Sequence, residues 1–301
     1  MAADGTHAGA GRARTSLFAA LGAIALWATL AALGVSLRHV PPFLLTGVAL
    51  LIGSLIALPW IWRGRTFLRL PLRTLGLGVY GLFGYHFLLF LALRSAPPVE
   101  ANLVNYLWPL LMVVLPPALL VGVPLRAIHV LAALLGFAGA ALAIVGSGVS
   151  TSTAWHSGYA LAAASAFVWA SYSLWCQRVP PFPTPAIGLF ALLSGLLSLA
   201  CHAMLEPSVV LSAQDWWLLA ALGLGPLGAA FFLWDIALKT GDVRQIGILS
   251  YITPLASTAL LMLVSGRALT WNIAAAAVLI LGAAFLGIFK SNRLQAQVKP
   301  A

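Results

Sequence analysis

Charge is scarce in this sequence. Of its 301 residues only 7% are Asp, Glu, Lys or Arg, against about a quarter in a soluble domain. So few charges cannot cover a water-facing surface, which excludes a soluble fold of this length. Acidic residues number six against sixteen Lys and Arg. Cysteine is nearly absent: Cys176 and Cys201 stand alone, each inside or at the edge of an apolar run. That spacing implies neither a disulfide framework nor a metal site. There is no H-E-x-x-H and no group of His, Cys and carboxylate at ligand spacing. His86, His129, His156 and His202 occur singly, so no catalytic pairing is written in the sequence. A dyad assembled from distant helices is the enzymatic alternative that remains.

Apolar residues supply what charge does not. They make up 62% of the chain, close to what ten spans of about 20 residues each require. Runs separated by charged, Pro-rich or Ser/Thr-rich breaks fall at 16–37, 42–62, 73–94, 98–117, 126–146, 156–177, 185–205, 216–238, 243–264 and 271–289. The first is long enough to span, which favours a retained signal anchor over a cleaved signal peptide. The net charge of +10 follows these runs rather than forming a nucleic-acid face. Arg12, Arg14, Arg63, Arg65, Arg69, Arg73, Arg126, Arg178, Lys239, Arg244, Lys290, Arg293 and Lys299 lie at one set of alternate ends. Arg38, Arg94 and Arg267 lie at the other. Thirteen against three places both termini in the cytoplasm and requires an even number of spans.

The chain also repeats itself. A shift of 145 residues aligns Ala92-Leu93-Arg94-Ser95 with Ala237-Leu238-Lys239-Thr240. The same shift lays Asn105-Tyr106-Leu107-Trp108-Pro109-Leu110 on Ser250-Tyr251-Ile252-Thr253-Pro254-Leu255. At an offset of 142, Trp27-Ala28-Thr29 meets Trp169-Ala170-Ser171. The expected fold is therefore an all-α membrane protein of ten transmembrane helices in two inverted five-helix repeats. A cytoplasmic arm (1–15) precedes the first repeat (16–148); the second (149–289) is followed by a cytoplasmic tail (290–301). The joint lies near Gly146 to Trp155. Five is odd, so the halves enter the bilayer in opposite senses, an architecture many secondary transporters use. A non-transporting helix scaffold is the bland competitor.

Matched prolines mark the candidate site. Pro109 and Pro254 sit near the middle of the fourth and ninth runs, where each removes a helical hydrogen bond. The carbonyls they would free belong to Asn105 and Ser250, and an unsatisfied carbonyl in hydrocarbon needs protein, water or substrate. Asn102, Asn105, Tyr106 and Pro109 share one helical stripe. Tyr85, His86, Ser250, Tyr251 and Thr253 are positioned to join it, and Trp27, Trp108, Trp169 and Tyr172 add aromatic surface. Such a pocket suits a small amphipathic zwitterion. Asp235 is expected to pair with Lys239, and Glu100 with Arg94 or a substrate ammonium. His86 is the candidate for a proton-linked role. The G-x-G-x-x-G runs at Gly76, Gly78, Gly81 and at Gly223, Gly225, Gly228 lack the strand a dinucleotide site needs. They read as helix-packing devices, as do Gly136, Gly139, Gly282 and Gly287.

The repeat, the Trp-Ala-Thr and Trp-Ala-Ser motifs, and the run from Glu100 to Pro109 resemble the EamA-type drug/metabolite transporter superfamily, particularly its bacterial aromatic amino-acid exporters. The segment Ser250 to Pro254 is similar to the ninth span of those exporters. The resemblance implies export of amino acids, chiefly aromatic, across a bacterial inner membrane, without a cofactor. It favours Tyr85, Asn102, Tyr106, Trp108, Trp169 and Tyr251 as cavity residues. Expected partners are the amino-acid substrate and membrane lipid, with no nucleic acid and a monomer sufficient. A nucleotide-sugar or phosphorylated-metabolite carrier of the same fold is the main alternative. It is disfavoured because no Lys or Arg lies in the middle third of any span.

Overall fold

A computed structural model describes residues 2–63, 70–145, 156–265 and 271–297. The expected joint from Gly146 to Trp155, and Arg65, Arg69, Arg267 and Lys299, lie outside the described residues. Among those described there is no strand, and helices follow one another in ten stretches. These are α1 (Ala2–Ala28 continuing as Leu30–Ser36), α2 (Pro42–Trp62), α3 (Leu72–Ser95), α4 (Pro98–Asn105, Trp108–Val114 and Pro116–Leu119) and α5 (Ala127–Val145). Then come α6 (Ser157–Trp175), α7 (Ala186–Leu205), α8 (Ala213–Thr240), α9 (Val243–Leu249 and Ile252–Ser265) and α10 (Trp271–Gln297). Six of them, α1 to α3, α5, α7 and α8, are long and apolar enough to cross a bilayer. Helix α1 starts at Ala2, well before the apolar run: the arm holds three glycines but no proline to stop the helix. Helix α10 likewise runs past residue 289, to Gln297.

The 145-residue repeat extends to the backbone. The hydrogen-bond pattern widens to a π turn at Tyr80–Gly84 in α3 and at Gly225–Ala229 in α8. The stretches that follow, Tyr85–Ser95 and Ala230–Thr240, are offset by the same interval, as are the starts of α4 and α9. Packing obeys the symmetry too. Helix α1 lies along α8 and α3 along α6, while α2 pairs with α7, α5 with α10, and α4 with α9. Exchanging each helix for its counterpart turns the first pair into the second and leaves the other three unchanged. Each of these five contacts thus joins one half to the other.

Both proline breaks open upstream of the proline. In α4 the amide of Tyr106 donates to the carbonyls of Asn102 and Leu103, and Leu107 to Val104, before the helix resumes at Trp108. In α9 the amide of Thr253 donates to the Ser250 carbonyl at 3.0 Å. The Ser250 carbonyl is therefore not free as expected: a tightened turn absorbs it.

The glycine runs divide. A Cβ on Gly53 of α2 would meet the Gly223 oxygen at 2.8 Å, the Gly228 Cα at 2.9 Å and the Leu227 oxygen at 2.9 Å. Here α2 and α8 touch backbone to backbone. Gly78 and Gly81 lie under the rings of Phe190 and Tyr172, Gly136 under Tyr251, and Gly139 against Ile280. Gly76 and Gly282, however, have nothing within 4 Å of a Cβ among the described residues, so neither acts as a packing device there.

Candidate functional site: a cavity with aromatic walls

Helices α1, α2, α3, α4, α6, α8 and α9 enclose a cavity of about 610 Å³, within the range that holds small-molecule ligands. The tryptophans come first, because they form its closed end. Trp27, Trp108, Trp169 and Trp234 all pack in mutual contact, with ring centroids from 5.1 to 6.4 Å apart. The indole of Trp27 donates to the Pro226 carbonyl at 3.1 Å, a group presented by the wide turn of α8. Trp234 donates to Ser173 Oγ at 3.1 Å. Beyond this box the helix ends are tied together. Lys239 pairs with Asp235 at 2.6 Å, donates to the Phe182 carbonyl at 2.8 Å, and lies 4.1 Å from the centre of the Phe182 ring. Ser16 Oγ donates to the Ala237 carbonyl at 3.0 Å. The expected pairing of Asp235 with Lys239 is present.

Asn105 organises the polar wall. It is buried, its Nδ2 donating to the Tyr85 hydroxyl at 3.1 Å while its Oδ1 accepts from Ser165 Oγ at 2.8 Å. One amide thus ties α4 to α3 and α6, and it sets the Tyr85 ring 5.3 Å from Trp169. Next to Tyr85, the buried His86 has Nδ1 2.6 Å from the Leu82 carbonyl oxygen. A carbonyl only accepts, so Nδ1 carries the proton and Nε2 is left as an acceptor. Asn102 and Tyr106 also line the cavity. So do Thr46 and Thr253, whose hydroxyls have no hydrogen-bond partner among the described residues.

Of the residues singled out in the sequence, Trp27, Tyr85, His86, Asn102, Asn105, Tyr106, Trp108, Trp169 and Thr253 come together here. Ser250, Tyr251 and Tyr172 do not, Tyr172 packing behind Trp169 and over Gly81. Ser250 Oγ donates back to the Ile246 carbonyl at 2.8 Å, and Tyr251 is buried against Gly136 and Phe137. The ninth helix presents Thr253 and, one turn on, Ser257. Pro109 and Pro254 shape the breaks without lining the cavity. Sequence reasoning missed Phe231, which faces His86 with ring centroids 6.2 Å apart. The repeat would have found it, since a shift of 145 residues carries His86 onto Phe231.

The far end of the cavity is lined by Arg38 and Arg94. Arg94 takes a distant partner: its Nη2 donates to Glu206, at the end of α7, at 2.6 Å. At the other end of the molecule Asp242 caps α9. Burial would raise its carboxyl pKa, but the Arg244 amide at 2.8 Å and guanidinium at 2.6 Å outweigh that and hold it below the usual carboxylate range.

Two segments, residues 14–145 and 156–289, each match the sequence profile of the EamA-like transporter family. The chain belongs to the EamA-like transporter family. Two copies of the EamA-like domain therefore make up nearly its whole length. Over 276 residues it is 43% identical to the aromatic amino acid exporter YddG of Ancylobacter novellus, covering 90% of this chain and 96% of that one. A crystal structure at 41% identity superposes with a TM-score of 0.87, covering 94% of this chain and all of the other. An EamA-like fold with several apolar spans makes the protein a multi-pass membrane transporter.

Proposed function

We propose that this protein is a secondary transporter that exports amino acids, aromatic and other neutral ones, across a bacterial inner membrane by alternating access. All ten helices then span the bilayer as two inverted repeats, residues 16–148 and 149–289, with both termini cytoplasmic. The charge asymmetry of the span ends supports this orientation. The observation that carries the reading is a cavity with aromatic walls and neutral polar groups, sealed at one end by four tryptophans. Aromatic faces would take the substrate's apolar part, while Asn102, Asn105, Thr46 and Thr253 offer neutral donors and acceptors.

Asymmetry between the halves supports alternation. Tyr106 lines the cavity while its repeat counterpart Tyr251 is buried behind it. Rocking of the inverted halves would exchange their surroundings. With the sealed end cytoplasmic, the structure is the outward-open form. The relative's name, exporter, supplies the direction.

The test is a counterflow screen of all twenty amino acids in reconstituted liposomes, with and without a pH gradient. Uptake of labelled aromatic amino acid into vesicles holding unlabelled amino acid is expected. Tyr106→Ala and Trp169→Ala should reduce it in folded protein, and normal transport by both would overturn the site assignment.

A further inference from the structure

We infer that Arg38 and Arg94 form an anion subsite at the open end of the cavity, which takes the carboxylate of the transported amino acid. This rests on the amino-acid reading above and adds to it a substrate orientation. Among the described residues, the Lys, Arg, Asp and Glu side chains that line the cavity are these two arginines alone; Glu206, the carboxylate paired with Arg94, lies behind the wall. The sequence places only Arg38, Arg94 and Arg267 on this side. Two of those three cations are thus gathered at one mouth. A bare positive-inside pattern explains their scarcity here but not their meeting on a cavity wall.

The surroundings of Arg94 are built to hold it there. Glu206 has a fully buried side chain. Its carboxylate accepts from the amides of Phe43 at 3.0 Å and Leu44 at 3.2 Å, from His202 Nδ1 at 3.0 Å and from Arg94 Nη2 at 2.6 Å. Two of those donors are the first amides of α2, where negative charge is already favoured. Glu206 is therefore shared among three helices rather than spent on one cation. The guanidinium lies 5.7 Å from the centre of the Phe43 ring. Its Nε and Nη1 make no hydrogen bond among the described residues, and neither does the side chain of Arg38. An arginine fixed by one nitrogen, with the others open to a cavity, is preorganised for a carboxylate. A zwitterion would then enter with its side chain among the tryptophans and its carboxylate toward the mouth.

The experiment is counterflow of labelled phenylalanine by the full chain in proteoliposomes, with unlabelled phenylalanine or phenylalaninamide as competitor. The amide keeps the ring and the amine but lacks the carboxylate. Phenylalanine is expected to compete at least about 10-fold better than the amide, the scale of a hydrogen bond to a charged group. Arg94→Gln and Arg38→Gln should each lower that ratio several-fold while competition by the amide is unchanged. Should Arg94→Gln fail to fold without its Glu206 pair, Arg38→Gln, which breaks no such contact, decides. An unaltered ratio in the folded variants, or a wild type that does not discriminate, overturns the subsite alone. No counterflow of any amino acid by the wild type would overturn the proposed function, and the subsite with it.

Discussion

Asn105→Ala tests whether the buried amide positions the cavity wall or only stabilises the bundle. It removes two contacts, the donor to Tyr85 at 3.1 Å and the acceptor for Ser165 at 2.8 Å. The two losses are unequal. Ser165 Oγ also donates to the Ala162 carbonyl at 2.8 Å, so its hydroxyl stays satisfied. The Tyr85 hydroxyl loses the contact that fixes its ring. Hydrogen bonds between membrane helices contribute about 0.6 kcal/mol on average and at most about 1.7. The total loss of stability should therefore be about 1–2 kcal/mol, with most of the specific coupling shared with Tyr85. If that coupling serves to place the ring, it reappears as weaker binding, a factor of about 3 to 20 in apparent affinity at 1.4 kcal/mol per tenfold. Thermal unfolding in detergent and counterflow kinetics, run as a double-mutant cycle with Tyr85→Phe, measure both. The two single variants should weaken apparent affinity alike, and the double variant little further. Independent effects, or an unchanged affinity in Asn105→Ala, would refute the positioning role.

Two further outcomes follow from the packing and the charges. Gly53→Ala drives a methyl into three backbone atoms within 2.9 Å, which no rotamer relieves, and should cost about 1–3 kcal/mol. Gly76→Ala, with open space at its Cβ, should be neutral or stabilising by up to about 1 kcal/mol through helix propensity; equal melting temperatures for the two variants would contradict the contact. Asp242→Asn should lose about 1–2 kcal/mol at neutral pH, since it keeps the cap but not the charge on Arg244. Because the folded carboxyl titrates below the unfolded one, its stabilisation is complete above about pH 4 and vanishes as pH falls through the folded value. The difference between wild type and variant should therefore shrink on acidification below about pH 4, and a difference that grew there would contradict the sign.

The helices were legible because each is a continuous apolar run bounded by prolines or charges, and the repeat because its matches survive as side-chain identities. Nine cavity residues were legible since polar and aromatic groups inside apolar helices must face protein. Ser250 and Tyr251 lie off the cavity although they are the repeat counterparts of Asn105 and Tyr106, which line it. Their environments differ when the cavity opens on one side only, and the Tyr251 ring fills the space a glycine leaves at Gly136. The partner of Arg94 was sought nearby at Glu100, whereas Glu206 lies 112 positions away, a distance no local pattern spans. The wide turns were equally hidden. Glycines are visible at both, but nothing in a periodicity distinguishes a bond reaching one residue further.

Those wide turns set more than local geometry. Each holds one more residue than a regular turn, and a residue on an α-helix corresponds to about 100° of rotation. In α3 beyond Gly84, the face that carries Tyr85, His86 and Arg94 is aimed at the cavity with that extra residue accommodated. Deleting Gly81 would let the helix close to regular form and swing the binding face about a quarter turn toward the lipid. A single inserted residue, present once in each half, thus sets the azimuth of both walls.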